Sequence, residues 1–268
     1  MSKRSTAWVL TILFAGGVSA AVPAHADLAD FDKPAEAEAM EAAVARHTDL
    51  IEREPKNPRH YFARGEAYFK LRDFERAIDD FSAAIKLNPK FDDAYFGRGM
   101  AHARNGDIAA GIEDLDVYIK RHPKSSLAFT KRGVRHLWSG DFAAAERDLA
   151  RAIALDPRNA EAHDDLGVIY AQREDYAAAA EHFRTTIRLE PQYQKAYHNL
   201  AFVYYLMDEE ARALKAVDGA LALGADRDSM MLKALILEAL GRDAEARAVK
   251  SEAEFIPEGN WSERLPVQ

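Results

Sequence analysis

The sequence predicts an all-α chain built as a solenoid of repeated helix pairs, and three observations carry that prediction. Pro55, Pro89, Pro123, Pro157 and Pro191 recur at a fixed step of 34 residues. Gly65, Gly99, Gly133 and Gly167 keep the same step, with Ala201 in the next place, so the register runs through successive units without an insertion. Within residues 58–91, Tyr61, Gly65 and Tyr68 lie at i, i+4 and i+7, and Ala77, Phe81 and Ala84 do the same farther on. That spacing puts each trio on one stripe of an α-helix, so two helices of about a dozen residues can bury their stripes against each other. A period of this length is the mark of stacked supersecondary units that share a continuous core.

The elements follow in order. Lys3 and Arg4 precede an apolar stretch from Ala7 to about Val22, and Ala24-His25-Ala26 offers small residues at both determining positions of a cleavage site. Residues 1–26 therefore read as a signal peptide, too short and too interrupted by Gly16, Gly17 and Pro23 for a spanning helix. Its removal takes Lys3 and Arg4 from the 36 basic residues and none of the 44 acidic ones, moving the formal charge from −8 to −10. An acidic chain disfavours nucleic acid and anionic lipid, both of which require clustered Lys and Arg. The absence of cysteine excludes disulfides, thiol nucleophiles, cysteine metal sites and a lipid-modified cysteine. A soluble periplasmic or secreted protein is expected, with no membrane insertion once the signal is cleaved.

Residues 27–57 hold a leader and one helix that Pro34 can start. Ala43 and His47 of this helix fall where a second helix of a repeat would carry its buried pair. It reads as an orphan second helix that caps the solenoid, with Glu36, Glu38, Glu41, Arg46 and Glu52 on its outer side. Five repeats follow, at 58–91, 92–125, 126–159, 160–193 and 194–226. The turn between paired helices is Leu71-Arg72-Asp73 in the first. Asn105-Gly106-Asp107 and Ser139-Gly140-Asp141 then offer a left-handed glycine followed by a capping Asp. The second repeat is the most irregular, with Gly111 in the place of Ala77. The fifth loses its closing proline to Ala225, and residues 227–255 form a degenerate sixth repeat and C-terminal cap. Residues 256–268, with two prolines and Trp261, form a tail.

The repeat resembles the tetratricopeptide repeat (TPR) of an exported bacterial type: an aromatic, a small residue, another aromatic, Ala-x3-Phe and a closing Pro, held here by Tyr61, Gly65, Tyr68, Ala77, Phe81 and Pro89. The resemblance implies a right-handed superhelix of antiparallel helix pairs whose first helices line a concave face. It also implies that the fifth, ninth, twelfth and thirteenth places of each repeat point into that face. The fifth and twelfth places supply the candidates Phe62, Phe69, Phe96, Asp164, His198 and Tyr205, alongside Thr130, Leu137 and Ala171, and the ninth supplies Met100, Val134, Val168 and Phe202, alongside Glu66 and Leu235; Lys131 adds a basic group at the sixth place of the third repeat. These are the candidate partner-binding residues, suited to a helix or extended segment of another protein. Packing between neighbouring first helices would account for the same apolar pattern. The carboxylate-gripping arrangement of chaperone-binding TPR domains is not matched, since the first three repeats offer Phe62, Glu66, Gly97, Leu127 and Lys131 at its places.

Arg64, Arg98 and Arg132 repeat at the same step and read either as a ladder for an anionic ligand or as packed stems with heads near an acid. His102 and His136 sit in the aromatic place of adjacent repeats, too far apart to share an ion. His163, Asp164 and Asp165 form a polar knot without a nucleophile or third ligand. No His-Glu-x-x-His, nucleophile elbow or Gly-rich phosphate loop occurs, so the expectation is a non-enzymatic envelope scaffold with no catalytic residue, metal or cofactor. A homo-oligomeric solenoid and a glycan-binding module are the alternatives.

Overall fold

The computed structural model describes residues 34–256; the expected signal peptide, the leader before Pro34 and the tail with Trp261 lie outside them. Among the described residues there are thirteen helices and no strand. They fall into two compact units, residues 34–155 and 156–256.

The first unit holds α1 (Pro34–Arg53), α2 (Pro58–Lys70), α3 (Phe74–Leu87), α4 (Asp92–Arg104), α5 (Ile108–Arg121), α6 (Ser126–Trp138) and α7 (Phe142–Leu155). Each repeat is a pair, α2 with α3, α4 with α5 and α6 with α7, and α1 packs on α2. On α1, Val44 lies against the cluster of Tyr68, Ala77 and Phe81, while Glu38, Glu41, Arg46 and Glu52 are exposed. Ala77, Phe81, Ala84, Leu115, Ala145 and Leu149 are buried as the stripes require.

Small residues are needed where the helices meet. A Cβ on Gly65 would lie 3.0 Å from the Phe81 ring, and one on Gly97, from the next repeat, 2.8 Å from the same ring. Phe81 thus fills the space between two repeats. In the irregular second repeat the close contact is between backbones: a Cβ on Gly99 would meet the Gly111 carbonyl at 2.9 Å, and one on Gly111 the Gly99 carbonyl at 2.8 Å.

The second unit holds α8 (Ala160–Gln172), α9 (Tyr176–Leu189), α10 (Gln194–Leu206), α11 (Glu210–Leu223), α12 (Arg227–Ala239) and α13 (Asp243–Ala253). Its core is one cluster running from Phe183 through Ala201, Phe202, Val203 and Val217 to Leu232 and Ile236. At its end α12 pairs with α13.

The turns obey the 34-residue step even where the sequence does not advertise it. Arg72, Gly106, Gly140, Glu174 and Asp208 all have positive φ, between 58° and 94°. Each closes its first helix with a six-to-one bond, as in Asp73 N–H to Tyr68 O at 2.9 Å and Asp175 N–H to Tyr170 O at 2.9 Å. Asp73, Asp107, Asp141 and Asp175 then cap the second helix through their side chains, accepting from Arg76, Ala110, Ala144 and Ala178 amides.

Candidate partner-binding face

The first helices of the first unit, α2, α4 and α6, carry their candidate residues at partial exposure, Val134 excepted. Phe62 sits against Phe81 and Phe91, with ring centroids 5.6 and 4.8 Å apart, and Phe69 lies 5.4 Å from Phe74. Phe96 packs 5.1 Å from Tyr118, which stacks on His122 at 4.4 Å. All three candidate phenylalanines keep some solvent exposure, as do Met100 and Lys131. Leu127, at the second place of its repeat, is 50% exposed. These side chains form an apolar series on successive first helices, held from behind by the second-helix cores.

Four candidates are instead closed off. Val134 is 7% exposed, and Phe202 is 1% exposed within the second unit's core cluster. Asp164 is fully buried: its carboxylate accepts from Asn199 Nδ2 at 3.2 Å and pairs with Lys195 Nζ at 3.0 Å. His198 is 4% exposed and meets Ser229 Oγ at 3.0 Å. For Phe202, Asp164 and His198 the structure supports packing between adjacent first helices, because Leu232 and Ile236, Lys195 and Asn199, and Ser229 on the next first helix meet them, while Val134 is simply buried on α6. Val168 and Tyr205 are partly buried against the same cluster.

Electrostatics follow this burial. Desolvation alone would lower the Lys195 pKa, but Asp164, Asp165 and Glu161 around it outweigh that and hold the ammonium charged. His198 has the opposite balance. Burial drives its pKa down to about 4, Lys195 adds to the fall, and Asp226 offsets only part of it.

The arginine ladder resolves into intramolecular clamps. Arg64, Arg98 and Arg132 each grip a carboxylate sixteen residues on, Asp80, Asp114 and Asp148, through two bonds of 2.7–2.8 Å. The third branch of each guanidinium reaches back to the preceding second helix: Thr48 at 3.0 Å, Ser82 at 3.1 Å and Asp116 at 2.6 Å. Every arginine thus ties three helices together, and its pKa is raised chiefly by the carboxylate it grips. The partner acids keep the same 34-residue step as the arginines, a signal open to a reader who counts sixteen forward. Lys195, Asn199 and Arg135, whose Nη2 lies 3.1 Å from Met100 Sδ, have no such periodic precedent.

Among the described residues no three His, Asp or Glu side chains converge as a metal site, and no helix is long and apolar enough to cross a membrane. His136 Nε2 lies 3.9 Å from Asp148, inside its own repeat.

The sequence matches the tetratricopeptide repeat family over residues 26–84, 62–126 and 130–193, more than half of its length, and the chain belongs to that family of helical-repeat proteins. No curated protein matches it. Among solved structures it is similar to a chain of the anaphase-promoting-complex heterotetramer Cut9–Hcn1, at 20% identity and a TM-score of 0.65, over 80% of this chain but only 46% of that one. It also resembles PilW, described as a widely conserved type IV pilus biogenesis factor, at 18% identity and a TM-score of 0.67 over 74% of this chain and 92% of PilW. A third likeness is to YrrB, a TPR protein with an unusual peptide-binding site, at 20% identity and a TM-score of 0.55 over 73% of this chain and 97% of YrrB. These likenesses define the fold.

Proposed function

We propose that the chain is a non-enzymatic scaffold of the bacterial cell envelope that holds an apolar helix or extended segment of another protein on the first helices of residues 34–155. The observation that carries this reading is the partly exposed series Phe62, Phe69, Phe96 and Met100 on α2 and α4, with Leu127 half exposed on α6. Apolar side chains that keep partial exposure on successive helices of a rigid surface favour a covering partner. The peptide-binding site of YrrB is a precedent for the mode, and the charged start, apolar stretch and small-residue site within residues 1–26 support the envelope.

The first experiment is in-cell crosslinking from a photoreactive residue at position 127 or 100, compared with position 202. The expected result is one dominant protein adduct from 127 and 100 and none from the buried 202. Leu127→Lys together with Met100→Gln, which keeps an acceptor for Arg135, should then abolish the adduct formed from a probe at 96 while leaving helical content unchanged. Unaltered adduct yield in that folded double variant would sink the reading. A second reading, a homo-oligomer formed through the C-terminal end, is favoured by Phe255, which is 85% exposed; sedimentation at several concentrations separates a monomer from it.

A further inference from the structure

The fourth repeat replaces the clamp of the first three with a leucine and a histidine, and adds a second histidine beside it. His182 stands where Asp80, Asp114 and Asp148 stand in earlier repeats, and Leu166 takes the arginine's place. His163 stands where Tyr61 and Tyr95 do. The two rings meet nitrogen to nitrogen, Nδ1 to Nδ1 at 3.1 Å, and His163 Nε2 lies 3.2 Å from the Pro157 carbonyl oxygen. Tyr61 makes the corresponding bond in the first repeat, its hydroxyl donating to Pro55 O at 3.1 Å.

This network fixes where the hydrogens are. A carbonyl oxygen only accepts, so His163 Nε2 carries the hydrogen. A neutral imidazole has one N–H, so His163 Nδ1 is an acceptor and His182 Nδ1 must donate to it. The chain runs from His182 through His163 to the turn carbonyl, and His182 Nε2 is the pair's one open basic nitrogen. His182 is further held by stacking on Tyr170, with centroids 5.3 Å apart and planes 16° from parallel.

A first proton can enter at His182 Nε2 without disturbing any bond, and the charged ring then donates to His163 more strongly. A second proton has only His163 Nδ1 to bind. It would set two N–H groups against each other across 3.1 Å and two cations with centroids 5.3 Å apart. The surrounding charges do not relieve this. Arg188 on α9 opposes charge on His163, while Glu181 favours it on His182. On the adjoining helix α10, Lys195 and His198 are engaged by Asp164 and Ser229.

We propose that the His163–His182 pair is an acid-operated latch between α8 and α9: it keeps its bonds with one proton and opens with the second, loosening the first turns of α8 from α9. Burial lowers both rings' affinity for protons, so the first enters below the usual histidine range and the second lower still.

The test uses the full chain. Nitrogen NMR of the ring atoms at pH 8 should show His163 as the Nε2–H tautomer and His182 as the Nδ1–H tautomer, and titration should show the two protons binding in separate steps. Amide exchange at residues 160–166, corrected for intrinsic rate, should lose at least tenfold protection between pH 7 and 4.5. His163→Tyr, which reproduces Tyr61 and keeps the carbonyl bond, should lose far less. Reversed tautomers, simultaneous titration near the ordinary histidine value, or equal acid loss in H163Y would each overturn the latch. Because the NMR titration is done on the unaltered protein, the proposal stays open to refutation even where the variant folds poorly.

Discussion

The two units solve the same packing problem with different chemistry. In residues 34–155 each helix pair is crossed by a bidentate arginine–aspartate clamp, whereas in residues 156–256 the equivalent places hold Leu166 with His182 and Leu200 with Ala216. Leu166, Leu200 and Ala216 are buried, and the second unit adds single polar ties such as Lys195 to Asp164 and Gln194 to Asp226. A largely buried ion pair gains strong attraction but loses hydration, so an apolar pair of similar volume can serve as well. The backbone geometry of the repeat is thus compatible with either solution, provided that both members of the pair change together.

The largest effect should come from breaking one clamp. Arg132→Ala leaves Asp148, 6% exposed, without its main partner, and is expected to destabilise the first unit by about 3 kcal/mol. Arg132→Leu with Asp148→Ala copies the fifth repeat and should recover most of that loss. Urea denaturation followed by circular dichroism measures both, and a double variant no better than the single one would break the equivalence of the two solutions. Next in size is Lys195→Met in the second unit. It leaves the fully buried Asp164 with Asn199 alone and should cost about 2 kcal/mol by the same measurement.

Acid should separate the units further. The His198 pKa is about 4 in the folded chain against about 6.5 when unfolded, so the unfolded state binds the proton first. The stability is present above pH 6.5 and is lost progressively as pH falls toward 4. The expected result is a falling urea midpoint for the wild type over that range and a shallower fall for His198→Asn. The smallest effect concerns the turns. Glu174→Gly should stabilise the second unit by about 1 kcal/mol, because φ of 62° strains a residue with a Cβ; Gly106→Ala, at φ of 94°, should destabilise the first by a similar amount.

What the sequence made legible was whatever recurs. The buried places of Ala77 and Phe81 and the left-handed Gly106 and Gly140 follow from one 34-residue pattern and helical geometry. Arg72, Glu174 and Asp208 adopt the same turn without a glycine to announce it, since the closing bond is fixed by the helix pair rather than by the residue. The candidate face was only half legible. Its direction follows from the repeat, so Phe62, Phe96 and Met100 keep exposure. Its depth depends on the neighbouring first helix, and the core cluster that Phe202 shares with Leu232 and Ile236 closes over it. The knot at Asp164 was visible in the sequence, but Lys195 and Asn199, which satisfy it, belong to no periodic series.

The backward reach of the arginines bears on how such a chain can gain or lose units. Thr48, Ser82 and Asp116 stand 34 residues apart and serve as acceptors for successive guanidiniums. Excising residues 92–125 would bring Arg132 onto Ser82, the acceptor Arg98 already uses. The joint created by such an in-frame deletion, or by the reciprocal duplication, is chemically prefabricated. Unequal recombination within this stretch of the gene would therefore yield chains that meet their new neighbours with hydrogen bonds already in place.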